Sequence, residues 1–285
     1  MAANLVAELV ALHQSVRAEE HLSMVREHIV RDPETGKALW DSYIPFVGPH
    51  YEPGGVLLVG TAQSLAKTAR KTDPSDWRLA TGTPDHPLFR LYRVGDTTVP
   101  RPLEIRDVSF EKIAIQPFED GIFAGIAGIA LAAKGMGVYR DLNDVTCRIA
   151  VTNFFKHSLH TESGGDLRPW DLPRATAQVY ARVVSEQYIR RELEILKPAV
   201  VVAFNNETAQ EMRRLGHPAV YGIKDPAWLK RGGSFPGKPV SLDEEARELH
   251  AIYVSQMRSM YSQQMAGRVT GYLAYYHAEL LRPPA

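Results

Sequence analysis

Short runs of apolar residues, each ending in small or polar residues, constrain the fold of this chain more than any other feature. The run AVVVAF at residues 199–204 is apolar without alternation, which is typical of a strand covered on both faces in a parallel sheet. Similar runs predict strands at residues 56–59, 147–153 and 218–223. The strand at 56–59 stops at Gly60, and a loop of short side chains, TAQS, follows it.

Helical patterns lie between and around these strands. Residues 121–137 are apolar almost all round, which predicts a buried helix whose glycines, Gly125 and Gly128, bring its backbone close to the sheet. Residues 175–197 form a long amphipathic pattern. The other expected helices lie over about residues 1–30, over residues 206–216, and over about 242–281, the last with a break near Gly267 or Gly271.

Strands that alternate with helices predict an α/β protein. We predict a single domain over residues 1–285, built as a three-layer α/β/α sandwich around a central, mostly parallel four-stranded sheet. In such sheets ligands bind outside the carboxyl ends of the strands. The candidate site therefore lies where Gly60, Asn153, Asn205 and the loop after Ile223 meet.

Composition limits the partners, the metal clusters and the cellular compartments that this chain can have. The chain has 33 basic and 33 acidic residues, so its net charge neither demands nor excludes a nucleic-acid partner. Its single cysteine, Cys147, permits no internal disulfide and no cluster held by four thiolates, and it fits a reducing cytoplasm. We find no apolar run long enough for a membrane span and no signal peptide, and we predict a cytoplasmic protein, nucleoid-associated if bacterial.

Segments at the ends of the predicted strands, and one before the apolar helix, together resemble the uracil-DNA glycosylase superfamily. GTAQS at 60–64 stands where that family has GEAPG or GQDPY, and VTNFFKHS at 151–158 is similar to ITNVVKCRP of the GEAPG-type branch. QPFEDGIFAGIAGIALAAKGM resembles PFVGxAGxLL, and RRELEILKPAVVVAFNNETAQEMRRLG resembles xELxLLKPKVIVALGxTAAxxLLG. KDPAWLKRG occupies the place of HPSxLLR. The resemblance covers residues 55 to about 235.

The resemblance implies a role for each matching residue. Base chemistry requires a nucleotide flipped out of the duplex, with Phe118 stacking on uracil and Asn153 reading its O4 and N3–H edge. Gly60, Ser64 and His157 complete the implied substrate-binding set. The implied catalytic residues are Thr61, Ala62, Gln63 and Asp225, and the implied DNA-binding loop consists of Pro226, Trp228, Leu229, Lys230 and Arg231.

The chain departs from the family pattern at positions that matter for the reaction. Asp225 stands where the family has His or Asn. An ionised Asp would repel the negative charge that develops on uracil, so Asp225 can take part in the reaction only if it is protonated in a site without water or if it activates the attacking water. Ala62 replaces the water-activating Asp of the GQDPY type, and a single cysteine excludes the iron–sulfur cluster of the GEAPG-type branch. Other candidates for the acid or base are Glu119, Asp120 and His157.

Each segment also has a plainer interpretation. GTAQS taken alone also fits an ordinary strand-to-helix turn, Asn153 a cap or turn residue, Phe118 a core aromatic, and KDPAWLKRGG a surface turn. His157 and His160 lack a carboxylate or cysteine at convincing spacing, so we predict no metal site.

We predict hydrolysis of the N-glycosidic bond of uracil in single- or double-stranded DNA, leaving an abasic site. The reaction needs no cofactor, the protein is a monomer without an obligate protein partner, and it does not bind membranes. The alternatives are a uracil-DNA binding protein with weak or no turnover, and a nucleoside or nucleotide hydrolase on the same fold.

Overall fold

A computed structural model describes residues 2–29, 42, 45–62, 122–157, 159–161, 166–224, 242–257 and 263–283. Five strands form the main sheet in the order β1-β3-β2-β6-β7, and β4 and β5 form a separate antiparallel pair. The strands are β1 Phe46–Val47, β2 Val56–Gly60, β3 Ile149–Asn153, β4 Leu159–His160, β5 Asp166–Leu167, β6 Val200–Ala203 and β7 Val220–Gly222.

The fold is α/β, as predicted, but the sheet is mixed and has five strands where the sequence predicted four. β2 pairs in parallel with β3 and β6, and β6 pairs in parallel with β7. The additional strand, β1, pairs antiparallel with β3, with Phe46 opposite Val151. A strand of two residues is too short to show alternation, so the sequence pattern did not reveal it.

The described α-helices surround this sheet. They are α1 Ala2–Ser15, α2 Ala18–His21, α3 Ile122–Ala133, α4 Leu142–Thr146, α5 Arg174–Val184, α6 Arg190–Leu196, α7 Asn206–Arg214, α8 Glu244–Gln256 and α9 Gln263–Leu281. A π-helical turn, Ser185–Ile189, joins α5 to α6, so the long helix predicted over residues 175–197 is confirmed.

Two hydrophobic clusters cover opposite faces of the sheet. Val56 and Leu58 belong to the first cluster, which includes residues of α3, α8 and α9, and we call this side the first face. Leu57 and Val59 belong to the second cluster, which includes residues of α1, α5, α6 and α7, and we call this side the second face. Because side chains alternate along a strand, β2 is buried on both sides, as its unbroken apolar run predicts.

The apolar helix α3 is confirmed, but its glycines do not face the sheet. A methyl group on Gly125 would meet the Met257 Cε at 2.5 Å, and one on Gly128 would overlap the ring and hydroxyl of Tyr253. Tyr253 lies on α8, and Met257 is the residue that ends it. The glycines therefore allow close packing between two helices rather than between a helix and the sheet.

The terminal helices also differ from the prediction. The N-terminal segment is not one helix over about 30 residues, because α1 ends at Ser15 and is followed by α2 and a 3-10 helix, Ser23–His28. The C-terminal segment forms two helices, but α9 continues through Gly267 and Gly271. The predicted break at these glycines is therefore wrong.

Candidate functional site

The carboxyl ends of the parallel strands meet at one edge of the sheet, and Gly60 lies directly opposite Asn153 there. Gly60 follows Leu58 by two residues and Asn153 follows Val151 by two, so both point to the first face. A methyl group on Gly60 would overlap the side-chain oxygen of Asn153. Glycine is therefore required at position 60 if the carboxamide of Asn153 is to lie across the end of β2.

Thr61 and Asn205 connect the ends of β2 and β6. The side-chain amide of Asn205 donates a hydrogen bond to the hydroxyl of Thr61, and its oxygen accepts one from the backbone N–H of Thr208 at 2.5 Å. Asn205 is thus the N-cap of α7 and also fixes the first residue after Gly60. This use of Asn205 is structural and explains why an amide follows β6.

The turn after β3 continues the pairing with β2 beyond the strands themselves. The backbone N–H of Phe154 donates to the carbonyl of Gly60 at 2.8 Å, and that of Phe155 donates to the carbonyl of Thr61 at 2.9 Å. Both aromatic side chains are buried on the second face, where they contact Trp170. These contacts hold the chain immediately after Asn153.

The first turn of α3 lies near the same edge on the first face. The ring of Phe123 contacts the ring of Phe204 at a centroid distance of 4.1 Å, and Phe204 is the residue that follows β6. The backbone N–H of Phe204 donates to the carbonyl of Val59 at 3.0 Å, which places it beside the end of β2. The N-terminal end of a twelve-residue helix and the side chain of Asn153 therefore lie on one face of one edge.

A buried ionic network lies on the second face, directly behind Asn153. The ammonium of Lys156 lies 2.7 Å from the carboxylate of Glu192 on α6. The Thr152 hydroxyl accepts from Lys156 at 2.6 Å and donates to Glu192 at 3.1 Å. His13 of α1 bonds the second oxygen of Glu192 at 2.8 Å and the hydroxyl of Ser42 at 2.8 Å. Lys156 and Glu192 are 0% exposed.

The charge state of this network follows from its contacts. Burial alone raises the pKa of Glu192, but the adjacent Lys156 and the hydrogen bond from His13 outweigh burial and lower it, so the carboxylate is ionised. Burial lowers the pKa of Lys156, and Glu192 opposes that effect. Burial also lowers the pKa of His13, so its imidazole is neutral and donates to Glu192 through Nε2 while Nδ1 accepts from Ser42.

The predicted site residues fall into three groups. Gly60, Thr61, Ala62 and Asn153 lie together at the sheet edge, as the alternation of strands and helices predicts. His157 is fully buried on the second face, where its ring contacts Tyr188 at 6.1 Å, and its substrate-binding role remains a prediction. The remaining predicted residues lie outside the described residues: Gln63, Ser64, Phe118, Glu119, Asp120, Asp225, Pro226, Trp228, Leu229, Lys230 and Arg231.

The sequence analysis missed the ionic network. One signal was available, because Glu192 stands four residues after Tyr188 and four before Leu196, on the buried stripe of an amphipathic helix. An acidic residue on such a stripe calls for a buried partner. Identifying that partner as Lys156 required the fold, since 36 residues separate the two.

No group of three or more His, Cys, Asp or Glu side chains among the described residues is arranged to hold a metal ion. In the same part of the chain no helix is both long and apolar enough to cross a bilayer. Comparison with protein-family models and with curated proteins gives no match to this chain.

Proposed function

We propose that this protein is a DNA glycosylase of the uracil-DNA glycosylase type, built as a three-layer α/β/α sandwich, that hydrolyses the N-glycosidic bond of flipped-out uracil. The observation that carries the proposal is the pairing of Gly60 with Asn153 at the carboxyl edge of the sheet, on the face where α3 begins. An extruded base needs a carboxamide, open backbone and a stacking ring in one place. The carboxamide of Asn153 and the side-chain-free residue Gly60 occur together at this edge.

Recognition of uracil is assigned to Asn153. A carboxamide donates and accepts hydrogen bonds at once, which matches the O4 acceptor and the N3–H donor of uracil. Its position against Gly60 and between the bonded residues Thr152 and Phe154 fixes the backbone that carries it. Phe118 lies four residues before α3, whose first turn is close to this edge, and we assign it to stacking on the base.

Charge develops on uracil as the glycosidic bond breaks, and two features favour a negative charge at this edge. The N-terminal end of α3 carries the positive end of the helix dipole. The residues at the strand ends, Gly60, Thr61, Asn153 and Asn205, are uncharged and place no anion against the departing base. Activation of water is assigned to Asp225, which follows β7 by three residues in the sequence, and Lys230 and Arg231 are assigned to the phosphates.

The proposal is tested on a single-stranded oligonucleotide that contains one uracil. After incubation with the protein, alkali cleaves the strand at any abasic site, and the expected result is scission at the uracil position. Asn153→Ala is expected to abolish scission. The matched control, Asn143→Ala, makes the same chemical change on the exposed surface of α4 and is expected to leave scission unchanged.

Other outcomes would replace the proposal. Retarded migration of the uracil strand without scission would make the protein a uracil-DNA binding protein. Cleavage of free nucleosides, with no affinity for DNA that falls as salt rises, would make it a nucleoside hydrolase. A result with neither scission nor retarded migration would contradict both DNA-directed functions.

A further inference from the structure

We propose that Lys156 and Glu192 are positioning residues for Asn153 that act through Thr152 and the turn following β3. The inference rests on the proposed function for its consequence in catalysis, but its structural content is independent of that function. Both side chains are 0% exposed, so neither can touch a substrate.

Thr152 and Asn153 are consecutive residues of β3, and their side chains point to opposite faces of the sheet. Asn153 faces the first face beside Gly60, whereas Thr152 faces the second face, where its hydroxyl is bonded to both Lys156 and Glu192. The network thus holds Thr152, the residue immediately before Asn153, which is assigned to recognition of the base. Because a strand residue cannot rotate without its neighbour, fixing Thr152 fixes the direction in which Asn153 points.

Lys156 also holds the far side of Asn153. It lies three residues later, at the end of the turn whose amides, from Phe154 and Phe155, bond the carbonyls of Gly60 and Thr61. One carboxylate, that of Glu192, therefore receives a bond from the strand before Asn153 and another from the turn after it. The Gly60 and Thr61 backbone is tied into the same arrangement.

Glu192 is itself positioned by a further hydrogen bond, from His13. His13 bonds its other oxygen, and the His13 ring contacts Tyr188 of the π-helical turn at a centroid distance of 5.1 Å. Turns of this kind occur frequently at functional sites. The network thus connects α1, the π-helical turn and α6 to the strand end that carries Asn153.

Stability alone does not account for this arrangement. Well-packed apolar residues in place of a buried ion pair are often as stable or more stable. Directional bonds fix orientation in a way that apolar contacts do not, and both oxygens of Glu192 accept hydrogen bonds. The pair is therefore assigned to geometry at the edge.

The test uses a double variant, Lys156→Met with Glu192→Gln, which removes both charges and leaves an amide to bond Thr152 and His13. Backbone amide hydrogen exchange is expected to be at least about tenfold faster at Phe154 and Phe155, with little change in the central strands β2 and β6. The charge-matched control replaces an exposed pair, Arg140→Met with Glu248→Gln, and is expected to change neither amide. Thr152→Val, which removes only the hydroxyl, is a second variant in case the first does not fold.

The kinetic measurement separates this inference from the proposed function. If the wild-type protein excises uracil, the double variant is expected to lose kcat by about tenfold and to discriminate less well between uracil and cytosine, while the control does neither. If the wild-type protein excises nothing, the proposed function fails, and exchange at Phe154 and Phe155 still decides the inference. Folded variants in which both amides exchange as in the wild type would overturn it.

Discussion

Both faces of the sheet are covered by buried side chains, but the two faces are built differently. The first face is packed by apolar side chains and by helices that approach closely at Gly125 and Gly128. The second face contains Lys156 and Glu192, the only buried Lys, Arg, Asp or Glu among the described residues. Adjacent residues of β3 divide between them, because Thr152 joins the ionic network and Asn153 lies over the site. At the end of β3, Thr152 thus stabilises the backbone on the second face, while Asn153 is available for recognition on the first face.

The largest expected effect on stability comes from removing one charge from the second face, and it tests whether that face depends on its ion pair. Glu192→Ala leaves the ammonium of Lys156 buried without its counterion, and we expect it to lower the free energy of unfolding by about 3–5 kcal/mol. Chemical denaturation measures the change. Lys156→Met/Glu192→Gln is expected to recover most of the loss, and a double variant as unstable as Glu192→Ala would show that charge is not the cause.

On the first face, added volume should matter more than charge. Gly128→Ala places a methyl group against the ring of Tyr253, and we expect it to lower the free energy of unfolding by about 1–3 kcal/mol. Gly271→Ala is the matched control on α9, since a methyl group there has no atom within 4 Å and is expected to stabilise the helix by up to about 1 kcal/mol. Equal effects at the two positions would contradict the packing assigned to α3 and α8.

Acid should destabilise the protein partly through a histidine pair between α8 and α9. His250 and His277 lie 3.1 Å apart through ring nitrogens. Burial, and then His277, lower the pKa of His250 to about 4 against the opposing effect of Asp243, and burial lowers the pKa of His277.

The sign of this effect follows from proton uptake. The unfolded chain binds protons near pH 6.5, where the folded histidines do not, so stability falls as the pH decreases from about 6.5 to 4. Thermal unfolding at pH 7 and pH 5 measures this loss. His250→Gln should show a smaller decrease in melting temperature between the two pH values, with His13 and His277 accounting for what remains. A melting temperature that rises on acidification would contradict the assignment.

The smallest expected effect on stability belongs to the residue with the largest expected effect on function. Asn153 is only partly buried, and its oxygen lies against Gly60 without a strained backbone. We expect Asn153→Ala to change the free energy of unfolding by no more than about 0.5 kcal/mol. A loss of several kcal/mol, measured by denaturation, would mean that Asn153 is part of the core rather than of a site.

The sequence predicts those features that depend on local pattern. The continuous apolar runs identify β2, β3, β6 and β7, and the position of Asn153 after such a run places it at the sheet edge. Features that depend on distant partners were not predictable. Glu192 and Lys156 meet only through the fold, and the direction of Gly128 depends on where α8 packs.

The most direct test of the central claim observes Asn153 itself. In protein labelled with ¹⁵N, the side-chain amide signal of Asn153, assigned through its absence in Asn153→Ala, is followed while free uracil or cytosine is added. The account predicts a saturable shift of this signal with uracil and a much weaker response to cytosine. An unmoved Asn153 signal while the same protein releases uracil from DNA would contradict it, because the base would then be bound elsewhere.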